Sequence, residues 1–185
     1  QQRLKPKKGK IIEISKSRVE QIDHQIGETS AENKLKLLTA ERIYLPEDGK
    51  TVGEHNGAFY YTIGQRKGLD VGGTPEPLFI ISTDIERNIV YVGQGKEHPG
   101  LFRKGLFIKN EDLHWIRPDL EIKAGDQRAL LVRIRYRQEL QEAELYRQQD
   151  GLYIVFDQPQ RGITPGQFAA WYDGEEMLGS GIIYQ

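Results

Sequence analysis

The sequence contains no cysteine, which excludes disulfides, zinc–thiolate and iron–sulfur centres, and a thiol nucleophile. It has no apolar run approaching the roughly 18 residues that a membrane-spanning helix needs. Its first residues show neither the basic n-region nor the apolar h-region of a secretory signal. The expected location is therefore the cytoplasm, with no membrane partner. Charge of one sign is not in excess either, because 26 Lys and Arg against 27 Asp and Glu leave a net charge of −1. A uniformly basic nucleic-acid binder is excluded, and any grip on a polyanion has to come from local basic patches. A G-x-x-x-x-G-K-[ST] phosphate loop, a G-x-S-x-G nucleophile elbow and a glycine-rich dinucleotide fingerprint are all missing. The four histidines, His24, His55, His98 and His114, fall at none of the short spacings that metal-ligand pairs show, so no metal site is expected. Glu54-His55 reads as a turn rather than an acid–base couple, and no catalytic residue is assigned.

What is present suits one large or two small globular domains: 185 residues, 37% hydrophobic and 29% charged. The chain begins at Gln1-Gln2-Arg3 without Met, as a segment of a longer protein or a trimmed N-terminus would. Arg3 to Lys10 gathers basic residues around Pro6 and Gly9 and reads as an exposed connector. Ile11-Ile12-Glu13-Ile14 predicts a strand. Ser15 to Lys50 is polar, with weak strand signals at Lys34–Leu38 and Ile43–Leu45 and a turn at Glu47-Asp48-Gly49-Lys50. In Thr62-Ile63-Gly64-Gln65 the threonine can cap a helix and Gln65 can return a bond to its N–H, giving a short helix that Gly68 ends. Pro77–Ser82 and Asn88–Gly93 predict an antiparallel hairpin.

A boundary near His98-Pro99-Gly100 divides the chain into a first domain, 1–102, which includes the polar stretch at about 15–50, and a second domain, 103–185. Six strand-like segments follow the boundary: Leu106–Leu113, Gln127–Tyr136, Glu142–Arg147, Leu152–Phe156, Gln167–Tyr172 and Met177–Ile183. Short strands at about ten-residue spacing mean a small antiparallel barrel or sandwich. The fold class expected is mainly β, a small β-rich domain with a short helix followed by a six-stranded antiparallel barrel or sandwich, of which the resemblance given below implies the barrel.

Two basic constellations can meet a polyanion, and a third segment is a turn that can present an amide. In Val132-Arg133-Ile134-Arg135-Tyr136-Arg137, strand alternation places Arg133, Arg135 and Arg137 on one face, roughly 6.6 Å apart at about 3.3 Å of rise per residue. That is near the spacing of phosphates along a nucleic-acid strand, and each guanidinium can hold a phosphate bidentately. The competing explanation, a solvated face with Glu142 and Glu144 as cross-strand partners, is favoured by composition alone. Gln65-Arg66-Lys67 lies at a helix end, where a plain surface role also suffices. Gly162-Ile163-Thr164-Pro165-Gly166-Gln167 is a Pro-Gly turn of type II character that can hold the Gln167 amide at a barrel rim.

Several blocks together resemble the tRNA-specific 2-thiouridylases, the MnmA/TrmU family. They are Gly53-Glu54-His55-Asn56-Gly57 with Tyr60-Tyr61-Thr62-Ile63-Gly64-Gln65-Arg66-Lys67-Gly68-Leu69, then Asn88 to Gly93, Arg135-Tyr136-Arg137, Phe156 to Gln167, and Leu178 to Ile183. Lys5-Pro6-Lys7-Lys8-Gly9 resembles the segment just after the family's second catalytic cysteine. The resemblance implies an enzyme that activates the wobble uridine of tRNA with ATP and magnesium and replaces its 2-oxygen with persulfide sulfur. That chemistry belongs to an N-terminal domain with an S-G-G-x-D-S motif and two cysteines, none of them present here. This chain would be the central and barrel part, without a cofactor of its own and inactive alone. The family's tRNA contacts carry over to Arg135, Tyr136 and Gln167, with Arg133 and Arg137 in the same row and Arg66 and Lys67 as further contacts. The implied partners are the tRNA anticodon arm and, for the full-length protein, a sulfur-relay protein or cysteine desulfurase. Two other functions compete: a barrel that docks on a translation factor or sulfur carrier, and an autonomous hydrolase. The second lacks a nucleophile–base pair.

Overall fold

The computed structural model describes residues 7–27 and 29–184; Gln1 to Pro6 of the basic segment, including Arg3 and Lys5, lie outside the described residues. The chain forms two compact units, Gln1–Gly27 with Arg42–Leu101, and Glu28–Glu41 with Phe102–Gln185.

In the first unit, β1 (Gly9–Glu13), α1 (Lys16–Gly27), β2 (Lys50–His55), β3 (Leu78–Asp84) and β4 (Ile89–Gln94) build a four-stranded sheet with one helix. Strand order is β2-β1-β4-β3, with β1 and β4 parallel and the other neighbours antiparallel. Gly9 and Lys10, expected in the connector, therefore already belong to β1. Ile11 and Ile12 are both buried, the mark of a strand covered on its two faces. Ile11, Leu78, Ile80, Val90 and Val92 pack with Ala58 and Leu69 into one cluster. The predicted hairpin is formed by β3 and β4. Its turn is closed by Asp84 Oδ1 accepting from the Arg87 N–H at 2.8 Å, with Asn88 at φ +55. Arg42 ties back to α1 through a two-pronged pair with Asp23, at 2.7 and 2.8 Å.

The helix expected at Thr62–Gly68 is absent, although its capping bond forms: the Thr62 N–H donates to Gln65 Oε1 at 3.2 Å. Gly64 at φ +86 and Gly68 at φ +83 leave the right-handed helical region. The Gly64 N–H donates instead to the Ile80 carbonyl, and the Ile80 N–H to the Gln65 carbonyl, so the segment lies against β3. Ile43–Leu45 is irregular rather than a strand. Glu54-His55 is not a turn but the end of β2. Glu54 there pairs with Lys8 at 3.4 Å, and buried His55 accepts the Gly57 N–H at 3.0 Å.

The second unit holds α2 (Ala31–Thr39) and seven strands: β5 (Phe102–Lys109), β6 (Leu113–Trp115), β7 (Gln127–Arg133), β8 (Gln141–Arg147), β9 (Gly151–Arg161), β10 (Phe168–Asp173) and β11 (Glu176–Ile182). The strand expected at Lys34–Leu38 is thus part of a helix. Helix α2 packs on β5 and β9, and its end is fixed by Arg103 Nη2 donating to the Thr39 carbonyl at 2.7 Å. The sheet runs β5-β9-β8-β7-β10-β11-β6, antiparallel throughout. The count is seven rather than six because a 3₁₀ turn at Asn110–Asp112 breaks the expected first strand into β5 and β6, which take opposite edges. The sheet curls toward closure, with the Tyr184 N–H beyond β11 donating to the Phe107 carbonyl of β5 at 2.8 Å. Trp171, Phe156, Leu106, Ile108, Leu145 and Ile154 fill the interior, each worth about 1.5–3 kcal/mol or more of burial.

Candidate nucleic-acid interface

The arginine row is not a strand face. β7 stops at Arg133, where its pairing ends: Arg133 is the last residue opposite β10, at Ala170, and Val132 the last opposite β8, at Gln141. The next N–H, of Ile134, is taken by a side chain, Gln138 Oε1 at 3.1 Å, and residues 134–138 fold into a turn. Gln138 Nε2 in turn donates to Gln160 Oε1 at 2.7 Å, anchoring the turn to buried Gln160 on β9. Tyr136, which strand alternation would put on the inward face with Val132 and Ile134, consequently points outward and is 87% exposed. Glu142 and Glu144 pair with Leu131 and Ala129 across the β7–β8 ladder and are not cross-strand partners of these arginines.

The three guanidinium groups have unequal commitments. Arg133 donates through Nε and Nη2 to the Tyr172 hydroxyl at 3.0 and 2.7 Å and through Nη1 to the Tyr136 carbonyl at 3.4 Å, which holds the turn that displays Tyr136. Arg135 donates through Nη2 to the carbonyls of Arg161 and Gly162, both at 3.1 Å. Its Nε and Nη1 meet no protein acceptor among the described residues. Arg137 is exposed and makes no hydrogen bond or ion pair among them. Residue 162 has to be glycine for this arrangement: φ is +69, and a Cβ there would lie 2.1 Å from Arg135 Nη2.

The Pro-Gly turn forms as expected. Gly166 has φ +81 at the third position, and the Gln167 N–H donates to the Thr164 carbonyl at 3.3 Å. The Gln167 carbonyl then accepts the Ile183 N–H at 2.8 Å, so the exposed Gln167 side chain stands on a fixed backbone.

These segments enclose a groove of about 700 Å³ lined by Arg133, Ile134, Arg135, Tyr136, Gln167, Phe168, Ala170, Tyr172 and Met177. It brings Arg133, Arg135, Tyr136 and Gln167 together; Arg137 adjoins it on the same turn. Among the described residues, no carboxylate lines it. A second depression of about 330 Å³ in the same unit, which shares Tyr172 with the groove, takes Glu142, Glu144, Asp157 and Asp173. Phe168, 62% exposed, went unremarked in the sequence. The signal that finds it is period-two alternation: small Ala169 and bulky Trp171 are fully buried, which turns Phe168 outward.

Arg66 and Lys67 are exposed residues of the first unit, on the turn segment that replaces the expected helix. His98 is structural. Its Nε2 donates to the Ile14 carbonyl at 3.0 Å while Nδ1 accepts the Gly100 N–H at 3.2 Å, and burial is the main cause that holds its pKa below the usual value. His55 is likewise lowered by burial. Asn88 donates to the Lys7 and Lys8 carbonyls and accepts the Ala58 N–H at 2.9 Å. The histidine and asparagine of the resembling blocks thus secure the first unit's fold. Among the described residues, no group of three or more His, Cys, Asp or Glu side chains could hold a metal ion, and no helix is long and apolar enough to cross a membrane.

Residues 106–183 match the family model described as the aminomethyltransferase beta-barrel domain. Residues 37–94 match the tRNA methyl transferase PRC-barrel domain. The chain is 50% identical over 183 residues to a tRNA-specific 2-thiouridylase of Christiangramia forsetii, which covers 99% of this chain and 46% of that relative. Identity to the corresponding protein of Flavobacterium johnsoniae is 50% over 184 residues, 99% of this chain and 46% of the relative. For that of Karelsulcia muelleri it is 44% over 182 residues, 98% and 44%. The chain therefore spans about half the length of the curated relatives it matches.

Proposed function

Since the chain belongs to the tRNA-specific 2-thiouridylase family, we propose that it is the tRNA-holding portion of an enzyme that 2-thiolates the wobble uridine of tRNA. The observation that carries this reading is the groove itself. Arg135 and Tyr136 come from the turn after β7 and Gln167 from the turn before β10, yet one cavity gathers them, with Arg133 beneath and Arg137 beside it. Cations fix a phosphate backbone, whereas an amide and exposed rings suit bases. Arg66 and Lys67 give the first unit a second, smaller basic contact with the same RNA.

The family's chemistry uses ATP with magnesium and persulfide sulfur. The residues here do not fit those groups: there is no cysteine, no S-G-G-x-D-S run, and no carboxylate–histidine cluster among the described residues. No step of the thiolation is routed through this chain, whose part is to hold and orient the anticodon arm. The complete enzyme would work in the cytoplasm and take its sulfur from a relay protein or cysteine desulfurase. A gel-shift titration with an anticodon-arm hairpin tests the reading: Arg135→Ala weakens binding while the barrel stays folded, and unchanged affinity in a folded variant refutes the assignment.

A further inference from the structure

We infer that the groove takes an unstacked nucleobase from a single-stranded RNA segment, with Phe168 and Tyr136 as its stacking surfaces and Gln167 at its edge. This rests on the RNA-holding reading and goes beyond it, because holding a phosphate backbone needs only the arginines. Two large rings, 62% and 87% exposed, line one cavity, and neither contributes to the interior. Paired RNA hides its base faces and is gripped through phosphates and 2′-hydroxyls, for which an aromatic ring has little to offer. An unpaired base has a π-face to stack and a free edge to read. The Gln167 amide, next in chain to Phe168, both donates and accepts and so matches a base edge.

The electrostatics and rigidity agree with that occupant. No carboxylate lines the groove, and Arg135 and Arg137 flank the rings with donors that no protein acceptor claims among the described residues. The Arg133 guanidinium lies 4.9 Å from the centroid of the Tyr172 ring and bonds its hydroxyl, so the floor is set before a ligand arrives. The volume of about 700 Å³ falls within the range of about 300–1,000 Å³ typical of small-ligand sites, enough for one nucleoside.

The test is a pair of titrations of the 185-residue chain with an RNA hairpin carrying 2-aminopurine in its unpaired loop and with a blunt duplex of the same stem. Wild type binds the hairpin more tightly and changes the 2-aminopurine fluorescence. Phe168→Ala lowers hairpin affinity about five- to hundredfold, the worth of one base–aromatic stack, and leaves duplex affinity unchanged. Phe168→Tyr keeps the affinity; Phe168→Leu, which retains apolar bulk, does not. Tyr136→Ala behaves as Phe168→Ala. Equal effects on both RNAs, or none on either, overturn the inference, and the RNA-holding reading then survives only if Arg135→Ala still weakens binding. A change in oligomeric state with unchanged RNA affinity assigns the groove to a protein partner and overturns it too. Failure of wild type to bind either RNA at low salt refutes both readings.

Discussion

Replacing Gly162 with alanine separates the fold's need for that residue from the groove's. Two effects combine. At φ +69 a side chain occupies the left-handed region, at about 1–2 kcal/mol. The new Cβ would also lie 2.1 Å from Arg135 Nη2, so the guanidinium must leave the carbonyls of Arg161 and Gly162. Losing those charge-assisted bonds, one exposed and one part-buried, adds about 1 kcal/mol or more. Gly174→Ala is the control. It has the same hand of backbone, φ +58, in the turn between β10 and β11, and a Cβ there would meet nothing within 4 Å, so it carries only the backbone effect. For a domain of about 100 residues, each 1 kcal/mol moves the melting midpoint by about 4–8 °C. Thermal melts followed by circular dichroism should therefore show both variants melting lower than wild type, Gly162→Ala the lower of the two. RNA affinity should fall about fivefold or more in Gly162→Ala alone, the worth of one misplaced cation. Equal RNA affinity in the two variants would refute the claim that Gly162 positions Arg135.

Arg133→Ala should destabilise the second unit by about 1–3 kcal/mol through lost bonding to Tyr172 and the Tyr136 carbonyl, whereas Arg137→Ala should melt like wild type and lose only RNA affinity. Equal melts for the two would show that their commitments do not differ. The first unit should be acid-sensitive through His98. Its folded pKa lies below the usual value of about 6.5, mainly through burial, so the unfolded chain takes up the proton first. Stability is then full above about pH 6.5 and falls as pH drops from there toward the folded pKa. His98→Gln, which keeps a donor and an acceptor but cannot titrate, should flatten that part of the melting-versus-pH curve; an unchanged curve assigns the effect elsewhere. Arg66→Ala with Lys67→Ala should leave melting unchanged and reduce the salt sensitivity of RNA binding, and no reduction removes these two from the interface.

Sequence reading succeeded where a local signal and its tertiary setting agree. Ile11-Ile12, the hairpin around Asp84 and Asn88, and the Pro165-Gly166 turn each carry the residues their backbone demands, and each forms. It failed where partners distant in sequence decide. Lys34–Leu38 is a short apolar run equally compatible with strand and helix; Arg103, far along the chain, caps it as a helix through the Thr39 carbonyl. Thr62 and Gln65 make their capping bond, yet β3 captures the backbone through Ile80. The arginine row does not take the strand shape its alternation predicts, because nothing in Val132 to Arg137 reveals that pairing to β8 ends at Val132 and to β10 at Arg133, and that Gln138 closes a turn instead. That same turn exposes Tyr136 and brings it to the groove with Phe168, a juxtaposition no spacing rule contains.

The salt dependence of binding tests the central claim most directly. The chain is titrated with an anticodon-arm hairpin at several salt concentrations, wild type against the double variant Arg135→Ala with Arg137→Ala. If these two arginines each neutralise a phosphate, the slope of log K against log salt becomes shallower by about 1.4–1.8, and affinity falls most at low salt. Parallel lines for the two proteins, with equal affinity throughout, would contradict the account.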